Sequence, residues 1–197
     1  MKEPDILAAL DIVIECFEKL GIDYYIGGSV ASSTYGIARA TMDVDLIANI
    51  EMNLTDNMVG ILSKDYYIEA DTVRDSIQRK TSFNLIHLKT MLKIDVFILK
   101  NQPYDSEAFT RRKQDTLEEV SSRKFYLSSP EDVILSKLQW FQLGDRASSQ
   151  QWKDVLGVVK VQGDKLDTQY LKKWATVLNL SDLLKCAFND AGLTKSS

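Results

Sequence analysis

Several features that mark other classes of protein are missing from this sequence. No stretch approaches the roughly 18 consecutive apolar residues of a membrane span, and the opening residues, MKEPDILAAL, lack the apolar core of a signal peptide. The two cysteines, Cys16 and Cys186, lie far apart in helical patterns, which predicts two buried free thiols rather than a disulfide or a metal pair. The net charge of −4 argues against a general nucleic-acid binder. We therefore expect a cytoplasmic globular protein without a membrane partner.

The 197 residues suffice for one large domain or two small ones, and the apolar pattern changes along the chain. Apolar residues at helical spacing predict helices over 4–20 and 54–64. The pattern also predicts four strands: DYYI (23–26), VDLIANI (44–50), FNLIHL (83–88) and MLKIDVFIL (91–99). The last two are expected to pair as a hairpin with its loop at Lys89-Thr90.

Beyond a last short strand, KFYL (124–127), only helical patterns remain. Ser129 is a predicted N-cap, with Pro130 at the first helical position and Asp132 two residues later, as at a capping box. The predicted helices cover 130–143, 148–161, 167–178 and 180–190. The fold class is therefore α+β: a mixed α/β domain over 1–127, followed by a helical domain over 128–197.

Two aspartates lie in a stretch that otherwise has the pattern of a buried strand. Asp43 and Asp45 point to the same face of that strand, about 6.6 Å apart, and a buried carboxylate is costly unless it is paired or bound to a metal. On a later strand, KIDVF, Asp95 points away from the apolar face and can join the pair if the two strands are neighbours. Three such carboxylates form an oxygen-ligand site that suits Mg²⁺.

A glycine turn precedes the paired aspartates. Gly27 and Gly28 let the backbone approach a phosphate closely, and Ser29 adds a hydroxyl donor. Residues 29–36 predict a short helix whose first N–H groups can face an anion. The order of strand, glycine turn, short helix and Asp-x-Asp strand predicts a site for a triphosphate and its metal.

These motifs resemble the nucleotidyltransferase superfamily typified by the DNA polymerase β palm. The residues that carry the resemblance are GGS (27–29), RATMDVDL (39–46) and the single aspartate of KIDVF. The form R-x-T-x-D-x-D is most similar to a minimal bacterial branch, which includes AbiEii-like and MenT-like toxins and small antibiotic nucleotidyltransferases. Glu131-Asp132 followed by Lys137, and then Lys153-Asp154, match two further motifs of the toxin-like members.

The resemblance implies a small mixed β-sheet core with flanking helices, followed by a helical bundle. It implies that Asp43 and Asp45 bind one or two Mg²⁺ ions and that Asp95 is a third ligand and candidate general base. It also implies a bound NTP, with its transferred nucleotide going to a hydroxyl of RNA or of a small molecule, and an antitoxin protein as a further partner.

The nucleotide contacts that the resemblance implies come from two parts of the chain. Gly27, Gly28 and Ser29 would contact phosphate, and Lys137 would reach the triphosphate from the helical domain. Arg39 would brace the nucleotide or the loop that carries the carboxylates. Asp154 would position Lys137 or the acceptor.

Other interpretations of these residues remain open. Asp-x-Asp also occurs in glycosyltransferases, as a metal ligand, and in haloacid-dehalogenase phosphatases, as a nucleophile, but the upstream Gly-Gly-Ser favours a nucleotidyltransferase. A nucleotide-binding module without turnover is the non-enzymatic alternative, and the presence of all three carboxylates argues against it. His87 is expected to be a partly exposed strand residue, the aromatic residues Trp140, Phe141 and Trp152 are expected in the core, and 111–113 is expected to be a solvated basic face rather than an RNA-binding patch.

Overall fold

The computed structural model describes residues 6–41, 43–117 and 123–193. The helices are α1 (Ile6–Leu20), α2 (Gly28–Tyr35), α3 (Thr55–Leu62), α4 (Ala70–Arg79), α5 (Pro103–Thr110), α6 (Pro130–Leu143), α7 (Ser149–Gln162), α8 (Thr168–Val177) and α9 (Ser181–Asp190), with 3-10 turns at Met52–Leu54 and Gly163–Lys165. The strands are β1 (Asp23–Ile26), β2 (Asp43–Asn49), β3 (Tyr66–Tyr67), β4 (Ser82–His87), β5 (Lys93–Ile98), β6 (Lys113–Thr116) and β7 (Lys124–Leu127). These elements confirm the α+β fold class. No helix among the described residues is long and apolar enough to cross a membrane.

The chain divides into two compact units. The first takes in Met1–Ile26 and Thr41–Thr110, and the second takes in Gly27–Ala40 and Arg111–Ser197. The segment that carries the glycine turn therefore groups with the C-terminal helices. The units do not coincide with domains 1–127 and 128–197, whose ranges stay a prediction from the sequence.

The first unit is built on a mixed sheet in the order β3-β4-β5-β2-β1. Strands β2 and β5 are adjacent and parallel, while β1 pairs with β2, and β4 with β5, in the antiparallel sense. Residues alternate between the two faces of a strand, so the buried set of β2 and β5 lies on one face: Val44, Leu46, Ala48, Ile94, Val96 and Ile98. The opposite face of the same two strands carries the aspartates.

Helix α1 is amphipathic, and its apolar face is completely buried in the core of the first unit. The buried residues recur at i, i+3, i+4 and i+7, which is the spacing that forms one helical face: Leu10, Val13, Ile14 and Phe17. Helices α3 and α4 add further buried apolar side chains, among them Met58, Leu62 and Val73. The first two residues of the predicted helix 4–20 lie outside the described residues.

The predicted hairpin of FNLIHL and MLKIDVFIL is confirmed, but its loop is longer than two residues. Strand β4 ends at His87 and β5 begins at Lys93, with Met91 in the left-handed region at φ +59°. The prediction that His87 is partly exposed is wrong. Its ring is buried against Tyr66, with centroids 5.1 Å apart, and its Nδ1 lies 2.7 Å from Oγ1 of Thr90. A polar contact inside the turn thus draws the histidine inward.

The second unit holds α2, the β6–β7 hairpin and the four predicted C-terminal helices, which agree with their predicted ranges to within one residue at each end. The Ser129 hydroxyl accepts a hydrogen bond from the Asp132 N–H at 3.2 Å, so the predicted N-cap is confirmed. Two expectations are wrong: Cys186 is an exposed free thiol, and Trp140 is 54% exposed. Cys186 projects from the solvent-facing side of the amphipathic helix α9, whereas Trp140 lies in the exposed C-terminal end of α6.

The basic residues at 111–113 are not simply a solvated face. The Arg111 guanidinium donates to Glu131 Oε2 at 2.9 Å and lies 3.8 Å from the ring centroid of Tyr170. Glu131 and Asp132 are both nearly inaccessible to solvent, and burial of such carboxylates is stable when a cation pairs with them. Arg111 therefore has a structural role at the start of α6.

Candidate active site

The register between β2 and β5 brings together the three aspartates that the sequence singled out. Asp45 lies directly opposite Asp95, and Asp43 lies directly opposite Lys93. Because the strands are parallel and adjacent, each opposed pair is about 4.8 Å apart and all four residues share one face of the sheet. The condition stated for Asp95, that its strand neighbours the Asp-x-Asp strand, is thus met.

Two hydrogen bonds orient carboxylates on this face. The Thr41 hydroxyl contacts Asp43 Oδ1 at 2.8 Å, and the Lys93 ammonium donates to Asp95 Oδ2 at 2.7 Å. The hydrogen bond with Asp95, reinforced by the negative charges of Asp43 and Asp45, raises the pKa of Lys93 above its usual value. Lys93 is therefore a permanent positive charge among three carboxylates.

The donor set of this face is compatible with Mg²⁺. Carboxylate oxygens from Asp43, Asp45 and Asp95 are hard ligands on two adjacent strands, and Mg²⁺ takes one or two carboxylates and completes its shell with water and phosphate oxygens. Among the described residues, no three Asp, Glu, His or Cys side chains converge closely enough to hold a metal ion as they stand. One oxygen of Asp95 accepts from Lys93 instead.

The glycine turn lies in the second unit and begins α2. The helix starts at Gly28, one residue before its predicted start, and Gly28 adopts φ +53°, a conformation that glycine takes at little cost. The Ala31 N–H donates to the Gly27 carbonyl at 3.1 Å, which closes the first turn. Ser29 therefore occupies the first turn of the helix.

Four of the predicted site residues form one polar cluster in the second unit. Arg39 donates twice to the Asp154 carboxylate, at 3.1 Å to each oxygen, and its Nη2 also donates to Ser29 Oγ at 2.6 Å. The Lys137 ammonium donates to Asp154 Oδ2 at 2.7 Å. We call Ser29, Arg39, Lys137 and Asp154 the phosphate-side cluster, after the phosphate contacts that the resemblance implies for Ser29 and Lys137.

Asp154 is the centre of this cluster, because every cation in it contacts the same carboxylate. Gln150, one turn earlier on α7, also donates to Asp154, at 2.8 Å. Burial alone would raise the pKa of Asp154, but the hydrogen bonds from Arg39 and Lys137 outweigh it, so the pKa lies below its usual value of 3.8. The carboxylate is therefore ionised, and Lys137, only 3% exposed, is held beside it.

A close approach between the backbones of α2 and α7 positions the residues of this cluster. A Cβ atom at Gly36, which ends α2, would lie 2.8 Å from the Val158 nitrogen and 2.9 Å from the Gly157 carbonyl carbon of α7. Only glycine fits there, so α2 and α7 lie against each other. Arg39 comes three residues after Gly36, and it therefore reaches Asp154, which lies about one turn before Gly157 on α7.

The sequence did not single out three residues that contact the predicted site: Thr41, Lys93 and Gln150. The spacing along the chain places each of them on the same face as a predicted residue. Thr41 lies two residues before Asp43, Lys93 two before Asp95, and Gln150 four before Asp154. Strand and helix periodicity could therefore have found them. Glu131 and Asp132, which match part of a toxin-like motif, both pair with Arg111. The Tyr170 hydroxyl also donates a hydrogen bond to Asp132 Oδ1 at 2.7 Å.

Solved structures share this fold. The complex of ANT(2'')-Ia with adenylyl-2''-tobramycin aligns with a TM-score of 0.58 and 11% identity over 87% of this chain and 95% of that one. A solution structure of the antibiotic-resistance factor ANT(2'')-Ia gives 0.54 and 12%, over 87% and 94%. An antigenic nucleotidyltransferase-like protein from Paracoccidioides brasiliensis gives 0.51 and 16%, over 92% and 91%.

No protein-family model matches the chain, and no curated protein matches its sequence. The likeness to solved structures therefore concerns the fold. The chain has the fold of the nucleotidyltransferases, as the sequence resemblance implied. The toxin-like branch within that superfamily stays a prediction.

Proposed function

We propose that the protein is a Mg²⁺-dependent nucleotidyltransferase, which moves a nucleoside monophosphate from an NTP to a hydroxyl and releases pyrophosphate. The observation that carries the proposal is the parallel pairing of β2 with β5, which sets Asp45 opposite Asp95 with Asp43 on the same face. Like charges directly opposite each other destabilise a sheet. A sheet that keeps three carboxylates together is therefore better explained by cation binding than by stability.

Each residue has a role that follows from its chemistry. Asp43 and Asp45 would hold the metal, which supplies charge neutralisation at the phosphates. Asp95 would accept the proton of the acceptor hydroxyl as the new oxygen–phosphorus bond forms and the bond to the pyrophosphate oxygen breaks. In the second unit, Lys137 and Arg39 would neutralise phosphate charge and Ser29 would donate a hydrogen bond.

The acceptor is the finer part of the proposal, and two classes have support. The Lys137 and Asp154 motifs resemble those of toxin-like members, which favours an RNA end, with an antitoxin as partner. A small hydroxyl compound is favoured by the fold of ANT(2'')-Ia, whose complex contains adenylyl-2''-tobramycin. The net charge of −4 also favours a small acceptor, because RNA is bound mainly through basic residues that neutralise its phosphates.

The test is transfer from each α-labelled NTP in the presence of Mg²⁺, with total RNA in one arm and an aminoglycoside such as tobramycin in the other. Asp43→Asn and Asp95→Asn are compared with Asp164→Asn, a control at an exposed aspartate of the second unit. We expect the first two variants to lose about 10²–10⁴-fold in rate, and the control to retain the wild-type rate. Label in RNA or in tobramycin identifies the acceptor class.

Pyrophosphate release and NTP binding separate the enzyme from its non-catalytic alternative. Binding of Mg·NTP that depends on Asp43, with no pyrophosphate released in either arm, would favour a nucleotide-binding module. No Mg²⁺-dependent NTP binding by the wild type would overturn the proposal.

A further inference from the structure

Lys93 stands out on the carboxylate face because it is the one positive group in a square of four register partners. Asp43 and Lys93 form one row across β2 and β5, and Asp45 and Asp95 form the next row. Neighbours within a row are about 4.8 Å apart and rows about 6.6 Å apart. The face thus carries three negative charges and one positive charge within a few ångströms.

Stability does not account for this lysine. Its side chain is 46% exposed, and an ion pair at such a position contributes little to folding because water screens the charges and the long side chain loses entropy. Its contact is nevertheless specific: Nζ lies 2.7 Å from Oδ2 of Asp95, which is the carboxylate proposed as general base and third metal ligand. Lys93 therefore occupies an oxygen that a metal ion would use.

We propose that Lys93 is a built-in counter-ion that holds the Asp95 carboxylate in place in the absence of metal and competes with the divalent cation for it. The inference rests on the proposed function, because it takes the three aspartates as the metal ligands. An ammonium that shares the site repels an incoming cation, so it lowers metal affinity while it keeps Asp45 and Asp95 from repelling each other. The metal then binds tightly only with a ligand that brings further negative charge, such as a triphosphate.

The experiment measures Mg²⁺ binding to the full chain by calorimetry, with Mn²⁺ binding by electron paramagnetic resonance as a second probe, both without nucleotide. Lys93→Met should bind either ion more tightly, by roughly ten-fold, since that is the repulsion between an ammonium and a divalent ion about 6 Å apart in a water-like dielectric. Lys93→Arg keeps the charge and should leave the affinity unchanged. Lys113→Met is the matched control, because Lys113 is likewise an exposed first residue of a strand, in the second unit.

A gain in affinity distinguishes the counter-ion from a structural lysine, whose loss would weaken binding or leave it unchanged. Because this exposed ion pair contributes little to folding, the thermal midpoint of Lys93→Met without metal should lie near that of the wild type, and Mg²⁺ should raise it by more than it raises the wild type. If Lys93→Met does not fold, Lys93→Gln serves for the same measurements.

The outcomes separate this inference from the proposed function. Metal binding that Asp43→Asn abolishes, but that Lys93→Met and Lys93→Gln leave unchanged or weaken, overturns the role of Lys93 alone. No Mg²⁺ or Mn²⁺ binding by any variant without nucleotide, including Lys93→Met, overturns the role of Lys93 when the wild type still binds Mg·NTP. The absence of Mg²⁺-dependent NTP binding as well overturns the proposed function.

Discussion

The replacement of Asp154 by asparagine should destabilise the second unit far more than the replacement of Lys137 by methionine. Asp154→Asn leaves Lys137, 3% exposed, and Arg39 without their shared anion. Removal of one partner from a buried pair costs about 3–5 kcal/mol, because the remaining charge is uncompensated. Lys137→Met leaves Asp154 still bound by Arg39 and Gln150, so its cost should not exceed about 1 kcal/mol.

Urea unfolding followed by tryptophan fluorescence measures this difference. The three tryptophans, Trp140, Trp152 and Trp174, all belong to the second unit, so the signal reports on that unit. Equal losses of unfolding free energy in the two variants would refute the reasoning, because they would show that Arg39 does not sustain the carboxylate by itself. A larger loss in Lys137→Met would refute it equally.

The pH dependence of the same difference gives a second check. The pKa of Asp154 in the folded protein lies below 3.8, so the stability that its charge contributes is complete above that pH and is lost as the pH falls through the folded value. The gap between wild type and Asp154→Asn should therefore be constant at neutral pH and narrow below pH 3.8. A gap that stays constant down to pH 2 would contradict the assigned ion pairs.

Two further predictions concern packing and the start of α6. Gly36→Ala should lower the unfolding free energy by about 1–3 kcal/mol, because the added Cβ meets the backbone of α7. Gly60→Ala, where the added Cβ meets nothing within 4 Å, should raise the unfolding free energy by up to about 1 kcal/mol. Equal effects of the two variants in thermal unfolding would contradict the close approach of α2 and α7. Arg111→Met should cost about 3–5 kcal/mol, because it removes a guanidinium that pairs with two buried carboxylates. Arg79→Met, at an exposed pair, should cost less than about 1 kcal/mol, and similar urea midpoints for both variants would show that Arg111 is not structural.

The sequence predicted those parts of the fold whose signals are local. Strand alternation located β2, β4 and β5, and the Ser129 cap with Pro130 located the start of α6. Helix α4 (Ala70–Arg79) was not predicted, because its sequence, ADTVRDSIQR, is mostly polar and only Val73 and Ile77 mark a buried face. The two-residue strand β3 is too short to show alternation and depends on its pairing with β4.

The carboxylate face was predicted because the strand period fixes which residues share a side. The sequence could not show that β2 and β5 are parallel neighbours, since that pairing depends on the whole sheet. The contacts of Lys93 and Thr41 have a more local origin. Each lies two residues before a predicted aspartate, so strand alternation places it on the carboxylate face, but its residue type is ordinary beside a strand. The environment of His87, by contrast, depends on a contact with Tyr66, which is distant in the sequence.

The excursion of Gly27–Ala40 into the second unit has a consequence for synthesis on the ribosome. Arg39 and Asp154 lie 115 positions apart, so at about 5–20 residues per second roughly 6–23 s pass between their additions to the nascent chain. Helix α2 emerges early but packs against α6 and α7, which are made late. Both segments of the first unit are complete before Arg111 is added. The order of translation therefore makes the carboxylate face the earlier to form and leaves the phosphate-side cluster until the newest helices have emerged.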